Sequence, residues 1–189
     1  MSAPMTPTSR FTLVDPATVS DPVVRAVFGE IERELGFGIV PNIFRAMAGQ
    51  PAVLRATWDL FRATVLQGTL PRAVKEMIGV AVSAANHSPY ALAVHMHSLG
   101  VQGVNEDTLA MLATGAAEAP GLAPSVAAII RFAHKAAHQG PLAITSADVT
   151  TLEDEGISTE ELGEIVAAIN LFQYVNSFTD LACVPLDAI

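Results

Sequence analysis

Apolar residues recur at three- and four-residue intervals along most of the chain, and no stretch alternates apolar with polar as a half-buried strand would. Gly, Pro and short polar residues punctuate the periodic segments, as in helices joined by turns. Asp21-Pro22 opens the first helix, an N-cap acid followed by a proline that needs no hydrogen-bond donor there. That helix runs to about Leu35 and stops at Gly36-Phe37-Gly38. Pro41-Asn42 starts a short helix, Ile43 to Ala48, closed by Gly49 and Pro51. Residues 52–66 put Leu54, Trp58, Phe61 and Val65 at helical spacing. After Gly68-Thr69-Leu70-Pro71 a helix runs from Arg72 to Asn86, with Met77, Val80, Ala81 and Ala84 on its apolar side. Ser88-Pro89 begins another, to Leu99, ended by Gly100 and Gly103. Helices over 105–114 and 125–139 flank a Pro/Gly-rich loop, Glu118 to Pro124, and Gly140-Pro141 ends the second. Ser146 to Glu155 and Ser158 to about Phe178 are the last two, each read as starting on a Ser N-cap followed by acids. The pattern predicts an all-α fold.

Residues 1–22, with Pro4, Pro7, Pro16 and Pro22 among Ser and Thr, read as an extended arm ahead of a single helical domain over 23–189. A weak internal repeat runs through that domain. Gly68 precedes Glu76 by the same distance as Gly156 precedes Glu164, and an Ala/Val/Ile-rich helix follows each Gly. This suits a duplicated helix pair.

Composition adds an expectation about assembly. Of 189 residues, 51% are hydrophobic and only 15% charged, less charge than a monomer of this size usually carries. The surplus apolar surface predicts a homo-oligomer with an apolar interface. Net charge is −9, and nine acidic residues but no Lys or Arg follow Lys135. Such a chain repels phosphate backbones and anionic lipids, so neither nucleic acid nor a membrane surface is an expected partner. No apolar run approaches the ~20 residues of a membrane span, and Met1 to Pro7 lacks the charged and apolar regions of a signal peptide. A cytoplasmic location is the default expectation. Cys183 is the only cysteine, so no CxxC redox site and no intrachain disulfide can form.

Candidate chemistry concentrates between Glu76 and His97. Glu76 sits inside an apolar helix, while Ser88, Ala91 and His95 fall at i, i+3 and i+7 and share one face of the next. That face looks back across the Asn86–Pro89 turn, where Glu76 and His95 can meet. A His/Glu pair beside a hydroxyl is an acid–base site in outline. The competing reading makes Ser88-Pro89 an ordinary helix start and Glu–His a structural hydrogen bond.

These offsets resemble the alkylhydroperoxidase D-like / carboxymuconolactone decarboxylase superfamily. Its peroxidase members carry a Glu, a Cys twelve residues on, a second Cys three further and a His four further; here those positions hold Glu76, Ser88, Ala91 and His95. Val-Pro-Asn-Ile-Phe-Arg-Ala-Met-Ala at 40–48 and the close from Phe172 to Asp187 are also similar to the family's. The resemblance implies an alkylhydroperoxidase D-like helical fold. It also shows what is missing. The peroxidases attack peroxide with an activated thiolate; a serine hydroxyl does not ionise at neutral pH and Ala91 offers nothing. Asn176-Ser177 stands where many relatives have Asn-Arg. What the resemblance implies instead is the decarboxylase branch, working without metal or organic cofactor on a small organic acid or lactone, with Glu76, His95 and Ser88 as catalytic residues.

Tyr90, His87, Phe44 and Trp58 are the candidate substrate-binding residues, the last two together with Phe61 and Met47 reading equally as core or interface packing. Two alternatives remain open. One is a non-catalytic ligand-binding or accessory relative that keeps the fold. The other is a metal- or haem-dependent enzyme using His95/His97 or His134/His138, the latter spaced i, i+4 as chelating pairs are. Against it, His134 and His138 share a stripe with Arg131 that reads as solvated, and His97 lies roughly opposite His95.

Overall fold

The computed structural model describes residues 9–114 and 121–188. Among these residues the regular structure is all helical: α1 (Pro22–Leu35), α2 (Asn42–Met47), α3 (Pro51–Phe61), α4 (Arg72–Asn86), α5 (Pro89–Val101), α6 (Glu106–Ala113), α7 (Pro124–Gln139), α8 (Ser146–Asp154) and α9 (Thr159–Ala182). Residues 118–120 of the loop expected at Glu118 to Pro124 lie outside the described residues, which resume at Gly121. The described residues group into two compact units, one up to Leu60 together with those from Phe178 onward, the other from Phe61 to Ser177.

In the first unit, Asp21 caps α1 as its sequence suggests, accepting hydrogen bonds from the Val23 and Val24 amides at 2.8 and 3.1 Å. Val24, Val27, Phe28, Ile31 and Leu35 form its buried stripe at helical spacing. The α2 helix has no side-chain cap of its own; Asp187, remote in sequence, accepts the Asn42 amide at 2.7 Å instead. The segment before α1 is anchored: the Arg10 amide donates to the Ala182 carbonyl at 2.8 Å, and Phe11 stacks on Phe178 with centroids 5.9 Å apart.

The second unit is built around α4. Every residue from Lys75 to Ser83 is buried, so α4 is enclosed on all sides, as the central helix of a core must be. Its main neighbours are α5 and α7. The expected helix over 52–66 does not run through: α3 ends at Phe61 and a single π-helical turn covers Arg62–Leu66. The α8 helix starts one residue earlier than its Ser suggests. Thr145 is the N-cap, its amide and hydroxyl both donating to Asp148 at 2.7 Å. Ser158 does cap α9, paired reciprocally with Glu161.

The repeat of Gly and Glu has a physical counterpart at its Gly positions and a divergence at its acids. Gly68 and Gly156 both take positive φ, 101° and 85°. Glu76 turns towards α5. Glu164 reaches instead to the Thr69 and Leu70 amides, at 2.6 and 3.1 Å, and to the buried Lys75 ammonium, at 2.8 Å. Lys75 also donates to the Gln67 carbonyl. A Cβ on Gly68 would lie 2.6 Å from the Glu164 carboxylate, so this loop needs glycine for both conformation and space.

Candidate functional site

Glu76 and His95 come together inside the second unit. His95 Nδ1 lies 2.8 Å from Glu76 Oε2, with both residues buried at 4% and 2% exposure. The other carboxylate oxygen accepts from the Ser98 hydroxyl at 2.7 Å and from Arg72 Nε at 3.3 Å. Arg72 also reaches Ser98 Oγ at 3.4 Å, and Gln102 Nε2 donates to the same oxygen at 3.3 Å. Arg72 stands one turn before Glu76 on α4, and Ser98 nearly one turn after His95 on α5.

Burial is the largest single influence on Glu76 and opposes its charge. The His95 hydrogen bond and charge, the Ser98 hydrogen bond and the Arg72 charge outweigh it, so the carboxyl is held below its ordinary value. An ionised carboxylate only accepts hydrogen bonds, so His95 Nδ1 must carry the proton of this contact. In the neutral form of the ring this leaves Nε2 as the nitrogen with a free lone pair.

Two further residues fix the imidazole. Phe172 meets it edge-on, with centroids 4.4 Å apart. Gly79, on the Glu76 face of α4, lies directly under the ring: a Cβ there would sit 2.5 Å from His95 Cε1. Ser98, Arg72 and Gly79 were not singled out from the sequence. The usable signals were helical: Arg72 at i−4 and Gly79 at i+3 from Glu76, Ser98 at i+3 from His95.

Ser88 occupies the N-cap position of α5, but its side chain makes no capping hydrogen bond, which removes capping as its role. It is 1% exposed and helps to line a cleft of about 470 Å³. His87, Pro89, Leu92, His134 and His138 share that lining; Glu76, His95 and Tyr90 do not. Tyr90 is buried in the first turn of α5. The solvated-face reading holds for Arg131 and His138, which are exposed, and is corrected for His134, which is half-buried; both histidines line the cleft. Phe44 and Trp58 belong to the core of the first unit, where they meet edge-to-face at 5.7 Å and Trp58 Nε1 donates to Glu30 at 2.9 Å. His97 is half-buried. Among the described residues no group of three or more His, Cys, Asp or Glu is placed to hold a metal ion.

An enclosed Glu–His dyad spans two helices of an all-α unit, and comparison with known proteins shows what this arrangement is similar to. Residues 51–135 match the Carboxymuconolactone decarboxylase family. The fold is similar to that of a peroxidase-related protein with an alkylhydroperoxidase AhpD core from Ralstonia eutropha, with a TM-score of 0.85 and 26% identity over 96% of this chain and 94% of that one. It is also similar to the debrominase Bmp8, solved as a cysteine-to-alanine variant in complex with 2,3,4-tribromopyrrole, with a TM-score of 0.79 and 25% identity over 96% and 95% of the two chains. In sequence, an alkyl hydroperoxide reductase of Mycobacterium tuberculosis is 34% identical over 98 residues, which are 52% of this chain but only 28% of that protein. The fold is that of the alkylhydroperoxidase D-like proteins, and the match to the Carboxymuconolactone decarboxylase family covers a little under half of the chain.

The chain has one cysteine. Cys183 follows α9, within the first unit, with Sγ 3.8 Å from the Asp180 carbonyl. With Ser88 and Ala91 at the cysteine positions of the family's peroxidases, peroxide consumption in the presence of a dithiol should equal the enzyme-free rate. Turnover that vanishes in Cys183→Ser would overturn this expectation.

Proposed function

We propose that the protein is a cofactor-free acid–base enzyme of the lyase or isomerase kind, acting in the cytoplasm on a small organic acid or lactone. The observation that carries this reading is the 2.8 Å contact between His95 Nδ1 and an ionised, fully hydrogen-bonded Glu76. Glu76 orients the ring and stabilises the imidazolium, and Nε2 exchanges the proton with substrate. In a decarboxylation the C–C bond to the carboxylate breaks and CO₂ leaves. The electron pair passes into the conjugated carbonyl, and His95, protonated at Nε2 from solvent, gives that proton to carbon and is left neutral. Ser98 and Arg72 hold Glu76 in place and contact no substrate in this scheme.

The burial of His95 favours a second reading, a relative that keeps the dyad as a structural hydrogen bond and binds ligand without turning it over. Carboxymuconolactone, the substrate class in the family's name, separates the two. CO₂ release or loss of the lactone's ultraviolet absorbance should be catalysed by wild type and fall at least a hundredfold in His95→Ala, while helix content is retained because Ala suits a helix. No turnover by wild type across carboxylated lactones, or full turnover by His95→Ala, removes the acid–base reading.

A homo-oligomer is part of the same proposal. Its support is the low charge fraction and the exposed Val166 and Tyr174 of α9, 43% and 39% accessible. Light scattering at micromolar concentration should give a mass well above 19.8 kDa. A monodisperse monomer would refute it.

A further inference from the structure

The cleft beside Ser88 has a chemistry that the dyad does not use. Four elements converge on it: the C-terminus of α4, the start of α5, the end of α6 and the last half of α7. Its volume of about 470 Å³ falls within the range of sites for small organic molecules. Ala, Pro89 and Leu92 side chains give it apolar walls, and His87, Ser88, Thr114, His134 and His138 supply the polar groups. Among the described residues no carboxylate, lysine or arginine lines it. In a chain of net charge −9, a cleft whose titratable groups are all imidazoles favours an anion over a cation.

The imidazoles are placed rather than scattered. His134 and His138, one turn apart on α7, stand side by side with centroids 5.6 Å apart and planes inclined by 25°. His87 closes α4 in the left-handed conformation, at φ 55° and ψ 37°, a conformation that L side chains adopt at a cost and that recurs at binding sites. Burial, and next the charge of His138, make His134 harder to protonate than a free imidazole. An anion at the edges of the two rings, within reach of their N–H groups, offsets both influences. The Ser88 hydroxyl, not engaged in capping α5, lies at the same wall.

We propose that this cleft binds the carboxylate of a small cyclic organic acid, with His134 and His138 as the hydrogen-bond donors to the carboxylate and Pro89 and Leu92 against the ring. The inference goes beyond the acid–base reading, whose dyad does not line this cleft, and places recognition of an organic acid on α7 and not on Tyr90, Phe44 or Trp58. Binding can be measured without turnover, so the two readings fail separately.

The probes are benzoate and its neutral isostere benzamide, added to the full-length protein. Benzoate should bind saturably with millimolar affinity and shift the imidazole nitrogen resonances of His134 and His138 in wild type. Benzamide should bind at least tenfold more weakly. His134→Ala/His138→Ala, checked for retained helix content and melting temperature, should weaken benzoate at least tenfold. Equal affinity for the two probes, benzoate binding undiminished in the double variant, or shifts confined to other residues would each overturn the proposal. Because the shift measurement is made on wild type, a misfolded double variant leaves a decisive test in place. Turnover of a carboxylated lactone that survives His95→Ala would instead remove the acid–base reading and leave the cleft assignment standing.

Discussion

Replacing Glu164 by Ala should lower stability by about 3–5 kcal/mol, the cost of leaving a buried charge unpaired, and the melting temperature by about 10 °C for a chain of this length. Lys75 is 1% exposed and its ammonium has the Glu164 carboxylate at 2.8 Å. Without it the charge keeps the Gln67 carbonyl as its remaining named partner, and the Thr69 and Leu70 amides lose their acceptor as well. Removing both charges tests the cause. Lys75→Met/Glu164→Gln should be more stable than Glu164→Gln alone, because the amide keeps an oxygen for the loop and no uncompensated ammonium stays buried. A loss below about 1 kcal/mol for Glu164→Ala would show the pair to be solvated and contradict its burial.

The same carboxylate sets an acid limit. Burial is the largest influence on Glu164 and works against its charge, but hydrogen bonds from Lys75, Thr69 and Leu70 and the lysine charge hold it at about 2, below its ordinary 4.5. A folded-state value below the unfolded one means that this stabilisation is complete above 4.5 and is lost as pH falls towards 2. Glu76 is displaced in the same direction. Acid titration followed by circular dichroism should therefore show lower stability below pH 4.5, and in Glu164→Gln the part due to Glu164 should be absent.

Gly79→Ala should be the most disruptive single-methyl change near the dyad. Two effects compete. Ala in a helix interior is favoured over Gly by about 1 kcal/mol, whereas the new Cβ would lie 2.5–2.7 Å from three atoms of the His95 ring. That ring has little freedom to yield, held by Glu76 on one atom and by Phe172 across its face. Either the hydrogen bond breaks or α5 moves off α4, and overpacking of this kind costs about 1–3 kcal/mol. The clash therefore outweighs propensity, and the variant should be both destabilised and inactive in any His95-dependent reaction. The control is Gly79→Ala/His95→Ala. With the ring removed the methyl has room, so the double variant should be more stable than Gly79→Ala alone. A single variant as stable as wild type, with unshifted His95 resonances, would show that Gly79 does not position the ring.

The helices were legible in the sequence because each is a local object. Three- and four-residue apolar spacing, the Asp21-Pro22 start, the Ser158–Glu161 box and the positive-φ glycines at 36, 68 and 156 are decided by backbone geometry within a turn or two. Glu76 and His95 were legible as a pair for a related reason: they lie on helices joined by a turn at His87 and Ser88, so their register follows from the chain itself. The errors lie where a neighbour outside the segment intervenes. The π-helical turn at Arg62–Leu66 and the prolongation of α9 to Ala182 are not written in apolar periodicity, which continues through both. Ser88 has the residue type and backbone of a cap but does not act as one, since side-chain orientation is settled by what surrounds it. Only tertiary structure set Glu164 against Lys75 and the Gly68 loop, although its position in the repeat made it look like a second Glu76. Tertiary structure also half-buried His134, which reads as solvent-facing, in the wall of a cleft whose rim keeps His138 exposed. Sequence spacing reports which residues share a face of one helix. Which other helices enclose that face, and so whether a carboxylate is paired, an imidazole buried or a pocket lined, depends on contacts between residues 80–100 positions apart, such as Lys75–Glu164 and Ser83–Asn176.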